Sequence, residues 1–137
     1  MEKFSKLKTF EEFSEDDSPK LYIKNIDAET IENTNYRHVV FTGEHLQLVL
    51  MSLQPEQEIG EEIHNDTDQF FRIEEGEGKV VINGKEYEFK KDFAFVITAG
   101  AKHNIINTGK KELKLYTIYT PPHHPNGTIE PEKKEEK

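Results

Sequence analysis

Between residues 36 and 121 the chain alternates short apolar-rich runs with turn-forming residues at close spacing, which is the pattern of a protein built from strands. Arg37–Thr42 and Gln47–Leu53 lie either side of Thr42-Gly43-Glu44. Residues 69–74 and 79–82 flank the glycine-rich turn Glu75-Gly76-Glu77-Gly78. Asn83-Gly84 then separates residues 80–82 from 86–89, and Asn-Gly between two such runs is the strongest short-range hairpin signal. Residues 93–97, 104–107 and 113–119 complete the series, with turns at Ala99-Gly100 and Thr108-Gly109, and Pro121-Pro122 ends the last strand. About eight or nine short strands with no long helix among them predict an all-β sandwich or closed barrel, and closure removes exposed sheet edges.

The pattern fades at both ends. Residues 1–20 and 126–137 are dominated by Lys, Glu, Asp and Ser. Phe4, Leu7, Phe10 and Phe13 stand at helical spacing, so a short helix around residues 9–13 is expected before Asp16-Asp17-Ser18-Pro19 breaks it. From Pro19 onward Leu21, Ile23 and Ile26 read as the start of the β region. The expected division is an N-terminal extension over 1–19, a barrel over 20–126 and a charged, solvated tail over 127–137.

Composition narrows the function. At 137 residues and 34% hydrophobic, the chain is one domain's worth with a single core. A net charge of −9 argues against nucleic acid as a partner, because phosphate binding needs a basic surface. No basic amphipathic helix suits an anionic membrane, and no apolar run approaches the ~18 residues of a membrane span. The absence of cysteine excludes disulfides, thiolate metal sites and cysteine nucleophiles. The opening Met-Glu-Lys-Phe-Ser-Lys lacks the apolar core of a secretory signal, so a cytoplasmic location is expected.

Candidate chemistry centres on the six histidines, His38, His45, His64, His103, His123 and His124. In an extended strand Glu62 and His64 project to one face while Ile63 faces the other way. Gln69 follows the polar turn Asn65-Asp66-Thr67-Asp68 and can return to the same interior, and His103 lies beyond Gly100-Ala101-Lys102. These positions resemble the two cupin motifs in register. The first motif, G-x5-H-x-H-x4-E-x6-G, aligned from Gly76, puts Gln69 at the Glu, His64 at the second His, Glu62 at the first and Glu56 at the opening Gly. The second, G-x5-P-x-G-x2-H-x3-N, matches Gly100, His103 and Asn107, with Asp92 and Thr98 at the outer Gly and Pro.

The resemblance covers about residues 36–121 and implies a cupin double-stranded β-helix, a jelly-roll-like barrel holding a divalent transition metal (Fe, Mn, Ni, Cu or Zn). The family pattern offers three imidazoles and one carboxylate; this chain offers His64, His103, Glu62 and the amide Gln69. Two imidazoles and one carboxylate suffice for a divalent transition metal and leave coordination positions open. Gln69 is then a weak oxygen ligand or holds a metal-bound water. The alternative is an ordinary Glu62–His64 pair at a barrel mouth, with His103 a satisfied core residue.

Phe71, Ile73, Phe95, Ile105, Tyr116 and Tyr119 are expected to line a small-molecule pocket or the core beside the site. Arg72 should face outward by alternation. His123 and His124, in Pro-Pro-His-His-Pro, read as a surface loop, the sharper alternative being acid–base groups at the barrel mouth. His38 and His45 read as structural or exposed. Two functions follow: a metal-dependent oxygenase, isomerase or lyase acting on a small organic molecule, or a non-catalytic ligand-binding module whose metal is structural or absent. Family analogy adds a homodimer.

Overall fold

The computed structural model describes residues 20–134. Its strands are β1 (Arg37–Thr42), β2 (Gln47–Leu53), β3 (Glu62–Ile63), β4 (Asp68–Glu75), β5 (Glu77–Ile82), β6 (Lys85–Lys90), β7 (Ala94–Ile97), β8 (Lys102–Asn107), β9 (Leu113–Thr120) and β10 (Ile129–Glu130). They form two antiparallel sheets, one ordered β10-β1-β2-β9-β4-β7 and the other β3-β8-β5-β6. The expected all-β cupin architecture is the one observed. Val49, Met51, Leu53, Phe71, Ile73, Ile105, Leu113 and Leu115 are almost fully buried in the core. β2 and β9 lie side by side inside the larger sheet, and every residue of β2 is buried.

Local chemistry sets the turns. Asn83 and Gly84 have φ of 50° and 84°, the double positive φ of a two-residue hairpin, and Ile82 pairs with Lys85 across it. Gly78 has no room for a side chain: a Cβ there would lie 2.4 Å from the Ile106 carbonyl oxygen.

Two expectations are corrected. The residues after Pro19 do not begin the β region; they lead into a helix, α1 (Ile26–Glu32). Asn25 caps it, its Oδ1 accepting from the Ala28 amide at 3.0 Å, and Asp27 and Glu29 sit in the first turn, where carboxylates meet the helix's unpaired amides. α1 packs over β9, β4 and β2, and Lys114 of β9 donates through Nζ to the Asn33 carbonyl at 2.6 Å. The segment read as a solvated tail begins with a strand. β10 pairs with β1 through Arg37↔Glu130 and His38↔Ile129, and the Arg37 guanidinium is ion-paired with Glu130. The helix expected around residues 9–13 lies outside the described residues. Among those described, no helix is long and apolar enough to cross a membrane.

Candidate metal centre

β3 is short, yet its alternation decides the site. Ile63 is 49% exposed, which turns Glu62 and His64 to the opposite, inner side. Glu62 pairs directly with His103 across β3 and β8, so two side chains 41 positions apart in sequence emerge as cross-strand neighbours. Glu62 Oε1 lies 3.3 Å from His64 Nε2 and 4.0 Å from His103 Nε2. One donor atom from each of the three residues lies within 4.8 Å of the others, and among the described residues no other group of His, Cys, Asp or Glu side chains converges this way.

The imidazoles are oriented for ligation. His103 is buried, and its Nδ1 stands 3.1 Å from the Ala101 carbonyl oxygen. A carbonyl can only accept, so Nδ1 carries the proton and Nε2 presents its lone pair to the site. Both His64 Nε2 and His103 Nε2 are buried without a hydrogen-bond partner. Buried polar atoms are seldom left so, since each forfeits its hydration without replacement. An electrophile between them would satisfy both. Two imidazoles and one carboxylate are a donor set suited to Zn or Fe among other divalent transition metals, so the residues present fit such an ion.

Gln69, on β4, is also buried, with Nε2 donating to Thr117 Oγ1 at 3.0 Å. Its Oε1 is the third orphaned acceptor of this interior. Gln69 is paired across the ladder with Tyr119, whose ring centre is 6.0 Å from that of His64. Among the expected pocket residues, Phe71, Ile73 and Ile105 are core, and Phe95 stacks on Phe71 at 4.9 Å. Tyr116 is on the other face of β9, its ring 6.4 Å from Phe70. It is three residues from the inward Tyr119, and a two-residue period places such a pair on opposite faces. Arg72 turns away from the core, as expected, and meets Asp92 at 2.9 Å. His45 is exposed and His38 half-buried.

The loop after β9 lies at the surface, as expected, with His123 exposed, yet its two histidine rings also reach the mouth of the site. The His123 ring centre is 4.5 Å from that of His64 and stacks on Tyr119 at 5.3 Å with an interplanar angle of 17°. His124 Nε2 lies 3.3 Å from the Tyr119 hydroxyl. The anchor is Gln47, fully buried on β2. Its Oε1 accepts from the His123 and His124 amides at 3.1 and 2.8 Å, and its Nε2 donates to the His124 carbonyl at 2.7 Å. Desolvation by burial, then the neighbouring His64, lowers the His123 pKa; burial, then Arg37, takes His124 down to about 4, so both rings are neutral at pH 7. Burial, and next Glu62, pushes the Tyr119 hydroxyl up, keeping it protonated.

Comparison with known proteins supports the same architecture. A family model described as a cupin domain matches residues 49–119. The uncharacterized protein YrkC of Bacillus subtilis (strain 168) is 46% identical over 121 residues, covering 83% of this chain and 64% of that protein, so the chain spans just under two thirds of that relative. The uncharacterized protein L612 of Acanthamoeba polyphaga mimivirus is 45% identical over 116 residues, covering 81% of this chain and 72% of its own. The crystal structure of BH2720 from Bacillus halodurans superposes with a TM-score of 0.80 at 45% identity, covering 82% of this chain and 89% of that one.

Proposed function

We propose a metal-dependent function for this chain, which belongs to the cupin family: Glu62, His64 and His103 hold a divalent transition metal at which a small organic molecule is transformed. The observation that carries this reading is the convergence of three donors within 4.8 Å while two of them, the buried Nε2 atoms, have no hydrogen-bond partner. Such an ion supplies Lewis-acid polarisation of a carbonyl or enediolate, or a place where oxygen and substrate meet, which corresponds to isomerase or lyase chemistry in the first case and oxygenase chemistry in the second. The chain's own residues bind and orient. His103 is fixed in one tautomer by the Ala101 carbonyl. Gln69, held by Thr117, aims its free carbonyl oxygen inward, where it orients a ligand or a water. The Tyr119 ring, stacked on His123, screens the His64 side of the site from solvent. The protein we envisage works in the cytoplasm as a homodimer.

Metal content decides the matter. Full-length protein purified without chelator or metal-affinity resin is expected to carry, or to take up, one equivalent of Fe, Mn, Ni, Cu or Zn. Glu62→Ala and His64→Ala should each weaken that uptake by about 100-fold or more, since either removes one of three donors. Oxygen consumption with the iron form and candidate substrates then separates oxygenase from isomerase or lyase. Undiminished metal uptake in both variants sinks the site. Metal-independent binding of a small ligand would favour a non-catalytic binding module.

A further inference from the structure

The donor count leaves a gap that the loop after β9 is placed to fill. The cupin pattern carries three imidazoles and a carboxylate, whereas the two motifs of this chain supply His64, His103 and Glu62, with Gln69 where the motif carboxylate belongs. One imidazole is missing from the motifs.

We infer that His123 supplies it, acting as a further metal ligand delivered from outside both motifs. The inference rests on the metal reading above and adds a residue to that site. Two imidazoles bound to one ion, with metal–nitrogen bonds of about 2.1 Å and an angle near 90–110°, hold their ring centres roughly 4.5–5.5 Å apart. His64 and His103 stand at 5.4 Å, and His64 and His123 at 4.5 Å. His123 therefore already keeps the spacing of a second imidazole on the ion that His64 would hold. Its nitrogens lie outside the tight set formed by Glu62, His64 and His103, so ligation requires the ring to turn on its own side-chain bonds. The residue is solvent-exposed on its outer side, which leaves room for that turn.

The backbone, by contrast, is held. Gln47 fixes the amides of His123 and His124 and the His124 carbonyl, so only the His123 side chain, now stacked on Tyr119, has to move. A loop anchored this way delivers an imidazole at little entropic cost. His124 is the natural control. Its Nε2 is already engaged with the Tyr119 hydroxyl, so its side chain is turned to the protein rather than to His64.

The test counts imidazoles directly. Full-length protein is loaded with one equivalent of Co(II), and X-ray absorption fine structure reads the number of coordinating rings while titration reads affinity. Three rings are expected in the parent and in His124→Ala, and two in both His123→Ala and His123→Gln, with Co(II) affinity at least about tenfold weaker in the His123 variants. Two rings in the parent, or an unchanged ring count and affinity on replacing His123, overturns the inference while leaving the three-donor site standing. A parent that takes up no Co(II) overturns both. Far-UV circular dichroism of the His123 variants should match the parent, because the replaced side chain is exposed and the Gln47 bonds go to its backbone.

Discussion

Besides Asn83 in its hairpin, two non-glycine residues sit in backbone conformations that favour glycine. Glu56 and Asp92 have φ of 69° and 73°, in the left-handed region, where a Cβ costs about 1–2 kcal/mol. These are the positions at which the cupin motifs carry their opening glycines, so the turns have kept their shape while losing the residue type that makes them easy. Asp92 recovers part of the cost through Arg72 at 2.9 Å. Glu56 is exposed and holds its turn through its amide, which donates to the Asn107 carbonyl at 3.1 Å, a bond glycine would keep. Glu56→Gly should therefore raise stability by about 0.5–1 kcal/mol, the strain relieved less the extra chain entropy of glycine. Thermal unfolding reads it, and an unchanged or lower midpoint would count against a strained turn. Motif spacing anticipates the convergence of Glu62, His64 and His103 for the same reason: it fixes backbone geometry, which survives substitution. Tyr116 is the exception: three positions from the inward Tyr119, it falls on the opposite face by the two-residue period of a strand.

At the scale of elements, short pieces carry more of the structure than their length suggests. β10 has two residues, but the ladder continues around it: the Tyr36 amide donates to the Pro131 carbonyl at 3.1 Å and the Val39 amide to the Thr128 carbonyl at 2.8 Å. Arg37, only 11% exposed in its side chain, lies 5.0 Å from the Tyr36 ring centre and depends on Glu130 for its charge partner. Glu130→Ala would leave that guanidinium largely buried and unpaired. Chemical denaturation should show a loss of about 2 kcal/mol, and a loss below about 0.5 kcal/mol would mean that the pair is solvated and β10 incidental. Nothing in the charged run after Ile129 announces this strand, since two residues are too few for alternation to register. α1 is a different case. Seven residues hide a helical period, yet Asn25 followed by Asp27 and Glu29 is a helix-start signature, so this element was legible from its cap though not from its apolar spacing. The Asn83-Gly84 hairpin was plain because turn chemistry is local. The His123 loop was not, because Gln47, which holds it, lies 76 residues away in sequence.

For the whole molecule, the site joins the two sheets. Glu62 and His103 come from β3 and β8 of the smaller sheet, whereas Gln69 and Tyr119 come from β4 and β9 of the larger one. A ligand that binds only the assembled arrangement stabilises the folded state by mass action, about 2.7 kcal/mol when present at a hundred times its dissociation constant. Saturating divalent transition metal should accordingly raise the unfolding temperature of the full chain by roughly 10 °C, reversibly with chelator, and should leave Glu62→Ala near its metal-free midpoint. An equal rise in parent and variant would point to adventitious binding elsewhere.

The shortness of β3 has one more outcome. Glu62 and Ile63 are an edge strand with only β8 alongside, and the same seam runs on through the Glu58↔Ile106 bridge and the Ile59 amide, which donates to the Ile105 carbonyl at 2.9 Å. An ion gripped by Glu62 and His64 on one side and His103 on the other would rivet that seam shut. Demetallation would then be felt first as a local unzipping that ushers solvent into the barrel, well before the two sheets part.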